Sequence, residues 1–246
     1  MSLHLEGVGR QVSERIEPLF REILAEVTEV HSLHIVGSAV TSDYVDGVSD
    51  VNSVIVFEKF DLRALDFLAT RGKKFRKRRV AAPLVMTPQY IEDSLDTFPI
   101  EFLNFGLFHV TVYGPDLFAP LLIDRAHLRL QCEREIKSKL IWLRQSCLSS
   151  MGDRKQLLEY LAASISGYVP LFRGVIHLSG GDPRVGAAGV IAAIGEVFHL
   201  RTDVFQRVFD VRHKTYRPVP DEVPALFEEY YRATEELGRV IDGLEV

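Results

Sequence analysis

Hydrophobic residues recur every three or four positions over residues 5–30, which is the repeat of one helix face and predicts an amphipathic helix. A short apolar run, Leu33–Val36, follows and ends at Gly37-Ser38, which predicts a strand that enters a tight turn. Residues Thr41–Ser49 are polar and predict a loop, and the β-branched run Val51–Phe57 predicts a second strand. The chain is therefore predicted to begin with one helix and two strands.

The alternation of helices and strands continues as far as Gly114-Pro115, where the pattern breaks. Residues 61–79 predict a helix with a basic end. Thr87-Pro88 supplies the capping hydroxyl and first-position proline of another helix, which is predicted to end near Phe98-Pro99. Further apolar runs predict strands at Ala82–Met86, Ile100–Phe105 and Phe108–Tyr113. This half of the chain is predicted to form a small mixed sheet with helices.

After this break the apolar residues keep only helical spacing, and no strand is predicted. We therefore predict an α+β fold with two domains. Residues 1–118 are predicted to form the small mixed sheet with its helices, and residues 119–246 to form an all-α helical bundle.

The composition is that of an ordinary globular protein, with 246 residues of which 47% are hydrophobic and 26% charged. Two cysteines exclude a disulfide framework and a four-cysteine zinc site. The chain start lacks the basic and apolar segments of a signal peptide, and the most apolar stretch, Val185–Phe198, is too short to span a bilayer and contains Glu196. We expect a cytoplasmic protein without membrane contact.

The net charge of −5 argues against a wholly basic nucleic-acid-binding protein, but the charge is uneven. The run Lys73–Arg79 has six basic residues and one aromatic, Phe75. It either contacts a nucleic-acid or triphosphate backbone or forms a solvated helix end, where cations suit the helix dipole. A single aromatic residue is too little for stacking along a single strand, so nucleic acid is the less favoured partner.

One pattern of residues indicates chemistry: Gly37-Ser38, then eleven residues, then Asp50-Val51-Asn52 at the start of a strand. Glycine allows the backbone to turn tightly near a ligand, and Ser38 with nearby N–H groups can bind a phosphate. Asp50 and Asn52 project to the same side of the strand because side chains alternate. A phosphate-binding turn that faces oxygen ligands is the arrangement required for metal-assisted nucleotidyl transfer.

Val36-Gly37-Ser38 and Asp50-Val51-Asn52 resemble the nucleotidyltransferase superfamily that includes DNA polymerase β and the kanamycin nucleotidyltransferases. The family pattern is a hydrophobic residue with Gly-Ser, a loop of about ten residues, and Asp-hydrophobic-Asp/Glu on a strand. The resemblance implies a nucleotidyltransferase-like domain with a triphosphate held by Gly37 and Ser38. It also implies Mg²⁺ or Mn²⁺ held by Asp50, Asn52 and a third carboxylate, for which Glu101 is the candidate. Asp50 and Glu101 would then be catalytic, with Glu101 the general base.

The departure from the family is Asn52, which stands where the family has a second acid and offers a metal no charge. At an effective dielectric constant near 20, one charge contact is worth on the order of 4 kcal/mol before desolvation. Two functions therefore remain open. One is transfer of a nucleoside monophosphate from an NTP to a small-molecule acceptor hydroxyl. The other is a catalytically impaired module on the same fold that binds a nucleotide or a partner.

The oligomeric state stays open at this stage. The small residues Gly186–Gly189 allow helices to pack closely, either inside the domain or between two copies of the chain.

Overall fold

The computed structural model describes residues 2–183 and 186–245. The chain divides into two compact units: residues up to 95 together with 102–122, and residues 96–101 together with those from 123 onward. The predicted boundary between 118 and 119 stays a prediction. The outer limits of the two predicted domains, residues 1 and 246, lie outside the described residues. So does Val185, the first residue of the apolar stretch noted in the sequence.

The first unit contains a four-stranded mixed sheet with the strand order β3-β2-β1-β4. Its strands are β1 (Val30–Val36), β2 (Asn52–Phe57), β3 (Leu84–Met86) and β4 (His109–Tyr113). Strand β1 is antiparallel to both β2 and β4, whereas β3 is parallel to β2. The predicted strands at 33–36, 51–57, 82–86 and 108–113 are thereby confirmed to within a few residues.

Helices precede and separate these strands along the chain. They are α1 (Arg10–Glu26), α2 (Leu62–Thr70), α3 (Gly72–Lys77), α4 (Pro88–Asp93) and α5 (Pro99–Leu107). The single helix predicted over 61–79 is two helices separated at Arg71. Thr87 caps α4 as predicted, because its side chain accepts a hydrogen bond from the N–H of Tyr90.

The hydrophobic core of this unit lies between α1 and one face of the sheet. Ile16, Phe20 and Ile23 of α1 are fully or almost fully buried against Leu33 and Ile35 of β1. Burial of each such side chain contributes about 1.5–3 kcal/mol. The turns at the strand ends are thereby fixed to a rigid sheet.

The predicted strand Ile100–Phe105 is wrong, since these residues lie in α5. Pro99, predicted to mark the end of the preceding helix, instead occupies the first position of this one, where its missing N–H costs nothing. The buried residues Ile100 and Leu103 are three positions apart, which is helical spacing.

The second unit is helical, as predicted. Its helices are α6 (Arg125–Ser149), α7 (Arg154–Ser164), α8 (Tyr168–Leu178), α9 (Ala187–Phe198), α10 (Asp203–Arg212) and α11 (Val223–Asp242). Its core contains an aromatic cluster of Tyr168, Phe172, Phe205 and Tyr230, with ring centroids 5.1–5.7 Å apart for the pairs in contact. Each buried tyrosine hydroxyl has a partner, Thr234 for Tyr168 and Ser164 for Tyr230.

The two cysteines both lie in α6 and differ in exposure. Cys132 is buried and Cys147 is exposed, and both are free thiols. Burial raises the pKa of the Cys132 thiol to about 12, with a smaller contribution from Glu135.

One helical run among the described residues, Arg154–Leu178, is long and apolar enough to cross a membrane. However, 56% of its most apolar window is buried inside the protein, as expected of a core helix.

Both edges of the sheet are short or covered. Strand β3 has three residues and follows Pro83, which has no N–H to offer a further strand. On the opposite side the backbone N–H of His4 donates to the carbonyl oxygen of Val112 in β4 at 2.8 Å.

Candidate functional site

The turn after β1 has the geometry that its sequence predicts. Gly37 has φ +74°, in the left-handed region that glycine adopts without steric cost. Its N–H donates to the carbonyl oxygen of Phe108 at 2.9 Å, which ties the turn to the start of β4. The residues Gly37–Val40 form a 3₁₀ turn that closes with the N–H of Thr41 donating to Ser38. The half-buried Ser38 hydroxyl makes no hydrogen bond with another described residue.

Asn52 lies beside this turn. It is the first residue of β2 and pairs directly with Val36, the last residue of β1. A Cβ built on Gly37 would lie 3.8 Å from the amide nitrogen of Asn52. The structure therefore brings together Gly37, Ser38 and Asn52.

Asp50 precedes β2 by two residues and has an exposed carboxylate. Its ion-pair partner is Arg79, whose Nε lies 3.6 Å from Asp50 Oδ1. Arg79 also donates from Nη2 to the carbonyl oxygen of Val48 at 2.9 Å, in the loop before Asp50. A guanidinium thus occupies one side of the carboxylate that was predicted to hold a metal.

The backbone of Arg79 is fixed beside the start of β2. The N–H of Val51 donates to the carbonyl oxygen of Arg79 at 2.9 Å, and the N–H of Ala81 donates back to Val51 at 3.0 Å. Arg79 has φ +55°, which is uncommon for a residue with a Cβ. This position ends α3 and directs the side chain toward Val48 and Asp50.

A cavity of about 550 Å³ lies on the same side of β2. Asp50, Arg76 and Arg79 supply its charged lining, and most of the remaining lining is apolar, from α2, α3 and residues 80–85. Arg76 forms no ion pair with any residue that the structure describes. The charge along the wall of the cavity is therefore net positive.

The placement of Glu101 on a strand is wrong, because Glu101 lies in the first turn of α5. Its carboxylate accepts a hydrogen bond from Gln131 Nε2 of α6 at 2.8 Å. The carbonyl oxygen of the same Gln131 side chain accepts from the N–H of Ile100 at 2.7 Å. Glu101 is thus part of a contact that holds the start of a helix, and its predicted roles as metal ligand and general base lose their structural reason.

The described residues do not fit the two-metal site that the resemblance implies. No strand of the described sheet contains Asp or Glu. No group of three or more His, Cys, Asp or Glu side chains in the described part of the chain could hold a metal ion. Asp50 and Asn52 together provide one negative charge, which is too little to offset two divalent cations.

A histidine–aspartate pair that no sequence pattern indicates lies close to the turn. His109 of β4 pairs with Val36 in the sheet, and its Nε2 lies 2.9 Å from Asp116 Oδ1. Burial alone would raise the pKa of Asp116, but hydrogen bonds from His109 and from two backbone N–H groups lower it overall. The sequence signal was weak, since it consists of one histidine in a strand and one aspartate after the closing Gly-Pro.

Part of the basic run Lys73–Arg79 makes contacts inside the first unit. Phe75 is buried in its core, and Lys74 Nζ lies 2.9 Å from Glu22 of α1. Arg78 donates to the backbone carbonyl of Glu14 at 3.2 Å. Contact of the run with nucleic acid stays a prediction.

Comparison with known proteins adds a structural likeness. No protein-family model matches the chain, and a search of curated proteins found no match. Among solved structures, the chain is similar to the spectinomycin adenyltransferase AAD(9) from Enterococcus faecalis, solved with ATP and spectinomycin. The match has a TM-score of 0.52 and 10% sequence identity, and covers 92% of this chain and 98% of that one. This likeness shows the fold: a nucleotidyltransferase-like mixed sheet with helices, followed by an all-α region.

Proposed function

We propose that this chain binds a nucleoside triphosphate at the Gly37–Ser38 turn and acts as a nucleotide-binding module whose capacity for nucleotidyl transfer is impaired. The observation that supports binding most directly is the turn itself. Its left-handed glycine lies against the start of β2, with the amide of Asn52 and a free serine hydroxyl beside it. Backbone N–H groups and neutral polar side chains in a turn of this kind suit a phosphate.

The fold likeness gives this proposal its ligand class. The similar solved structure contains ATP, and its likeness covers nearly all of both chains. The impairment of nucleotidyl transfer follows from the few oxygen ligands that the site offers to a metal ion. The second acid is replaced by Asn52, and Glu101 is engaged by Gln131 on a helix.

A second candidate is transfer of a nucleoside monophosphate to a hydroxyl of a small-molecule acceptor. In that reaction the acceptor oxygen bonds to the α-phosphorus, and pyrophosphate leaves. The observation that favours it is Asp50, which keeps the position of the family's first acid relative to Gly37-Ser38 and has an exposed carboxylate.

The first experiment is calorimetric titration of the wild-type protein with ATP and with GTP in the presence of Mg²⁺. We expect binding of at least one nucleotide. Ser38→Asp should weaken it at least tenfold, because the new carboxylate repels phosphate at the turn. Ser42→Asp, the same change at an exposed position four residues further on, is the matched control. Absence of binding by both nucleotides would overturn the proposal.

A pyrophosphate-release assay separates the two candidates. If the chain is an impaired module, the wild-type protein releases no pyrophosphate. The Asn52→Asp variant is then expected to release pyrophosphate in the presence of metal, because it restores the second acid. Metal-dependent release by the wild type that Asp50→Ala abolishes would instead establish the transferase.

A further inference from the structure

We propose that Arg79 supplies the positive charge that holds the nucleotide's phosphates at this site, so that the nucleotide binds without a divalent metal ion. This inference rests on the proposed nucleotide binding. It assigns to Arg79 the positive charge that divalent metal ions would otherwise supply to the phosphates.

The Gly37 turn and Arg79 flank the start of β2 on opposite sides. The turn follows Val36, which pairs with Asn52, and Arg79 is bonded through its backbone to Val51. Neighbouring strands lie about 4.8 Å apart, so the two flanking backbones are roughly 10 Å apart across β2. A triphosphate at the turn and a long arginine side chain can together span that distance.

The guanidinium of Arg79 is available to a ligand. The side chain of Arg79 is 45% exposed. Its Nε is 3.6 Å from the carboxylate of Asp50, which is too long for a hydrogen bond, and Nη2 donates to the Val48 carbonyl. Because a guanidinium has five N–H donors, Arg79 retains donors for a phosphate while it keeps both contacts. Arginine is always charged and its fork of donors matches phosphate oxygens.

The charge of the cavity wall also suits a directly bound polyanion. A site that binds a triphosphate through divalent cations needs several carboxylates to hold those cations, whereas among the described residues that line the cavity beside Arg79 the only carboxylate is that of Asp50. The two cations Arg76 and Arg79 line the same cavity and outnumber the single carboxylate of Asp50. This balance suits a polyanion that is bound directly.

The backbone of Arg79 is strained. A left-handed φ of +55° costs free energy for any residue except glycine, and here the backbone bonds to Val51 hold Arg79 in that conformation. Glycine at this position would relieve the strain. Arg79→Gly is therefore expected to keep or raise the melting temperature while it weakens nucleotide binding, a combination that a merely structural role for Arg79 would not produce.

The test is calorimetric titration with ATP in EDTA and, separately, in Mg²⁺, on the full chain. We expect binding in EDTA that Arg79→Gln and Arg79→Gly both weaken about tenfold or more, since hydrogen bonds to charged groups are lost. Lys77→Gln is the matched control because it removes one exposed charge from the same helix end. Asp50→Asn should leave binding in EDTA unchanged or tighter, because it removes a carboxylate that repels phosphate.

The outcomes separate this inference from the proposed function. Binding in Mg²⁺ but not in EDTA overturns the inference and leaves the proposed nucleotide binding intact. Absence of binding in both conditions overturns the proposed function itself. Binding in EDTA that Arg79→Gln weakens no more than Lys77→Gln, or that Asp50→Asn abolishes, also overturns the assignment of Arg79.

Discussion

His34 is a fully buried histidine in the middle of β1. Its Nε2 lies 2.8 Å from the Ser32 hydroxyl and its Nδ1 lies 2.9 Å from the Thr111 hydroxyl, so both ring nitrogens have partners without a charge. Burial lowers the pKa of His34 to about 4, with a further lowering from His109 that Asp116 partly opposes. The ring is therefore neutral wherever the protein is folded at ordinary pH.

This pKa makes stability depend on pH. The folded-state pKa of His34 lies below its unfolded value near 6.5. The contribution of the neutral ring to the free energy of unfolding is therefore fully present above pH 6.5. The contribution is lost as pH falls from 6.5 toward 4, by roughly 3 kcal/mol over the whole range. We expect urea midpoints to fall over this range, and the fall to be smaller in His34→Gln. His213→Gln, at an exposed position, is the control, and an equal fall in both variants and the wild type would contradict the prediction.

Gly37 gives a second prediction at this scale. Gly37→Ala places a Cβ on a backbone with φ +74° and should destabilise the fold by about 1 kcal/mol, measured by thermal unfolding. Gly72→Ala is the contrast, since Gly72 begins α3 and a Cβ there meets nothing within 4 Å. That change should be neutral or stabilising by up to about 1 kcal/mol. Equal melting temperatures in the two variants would argue against the left-handed turn.

Among the elements, α5 shows how one side chain can hold the start of a helix. The first N–H groups of a helix have no partner inside it, and Gln131 of α6 accepts from one of them, that of Ile100, while donating to Glu101. Gln131 is 5% exposed, so the interaction lies in a buried environment. The contact couples the first turn of α5 to α6.

Gln131→Leu should cost about 1–3 kcal/mol, because the amide is lost from a buried pair of hydrogen bonds, and chemical denaturation measures it. Glu101→Gln keeps an acceptor oxygen and should change both stability and ATP binding little. A large loss of ATP binding in Glu101→Gln with unchanged stability would restore Glu101 to the site.

The same helix marks the limit of prediction from the sequence at this scale. Val51–Phe57 forms a strand because its β-branched residues fit a buried sheet, and the pattern alone predicts it. Residues 100–105 contain four apolar residues with Glu101 and Asn104 among them, a run too short to show a clear period, so the proline before them decides the element. Pro99 fits both the end of one helix and the first position of the next. The contact with Gln131, 31 positions later, is not visible in the local sequence.

For the whole molecule, the division into two compact units allows each to be probed by itself. Cys132 is buried in the second unit, and its raised pKa keeps it as an unreactive thiol. Cys147 is exposed in the same helix.

We expect a thiol reagent at pH 8 to modify Cys147 rapidly and Cys132 only when the helical unit opens. Mass spectrometry over time should show one fast and one slow modification, and the slow one should accelerate in urea. Cys147→Ser should leave only the slow modification. Rapid modification of both thiols in the wild type would show that Cys132 is accessible.

At this scale the candidate site was partly predictable. Gly37, Ser38 and Asn52 come together because Val36 pairs with Asn52, and the motif places these residues at the end of one predicted strand and the start of the next. Arg79 was visible only as one member of a basic run. Its place beside Asp50 depends on the parallel bridge between Val51 and Val80, a pairing across the two helices α2 and α3 that no local pattern specifies.

The covered edges of the sheet bear on the behaviour of this protein in concentrated solution. An open strand edge is a template on which a second chain can add a strand, and such addition starts aggregation. Here the chain near His4 bonds to β4, and β3 is three residues long with a proline before it. The protein should therefore resist strand-to-strand polymerisation while folded, and removal of the residues before Gly9 should shorten the lag time of fibre formation.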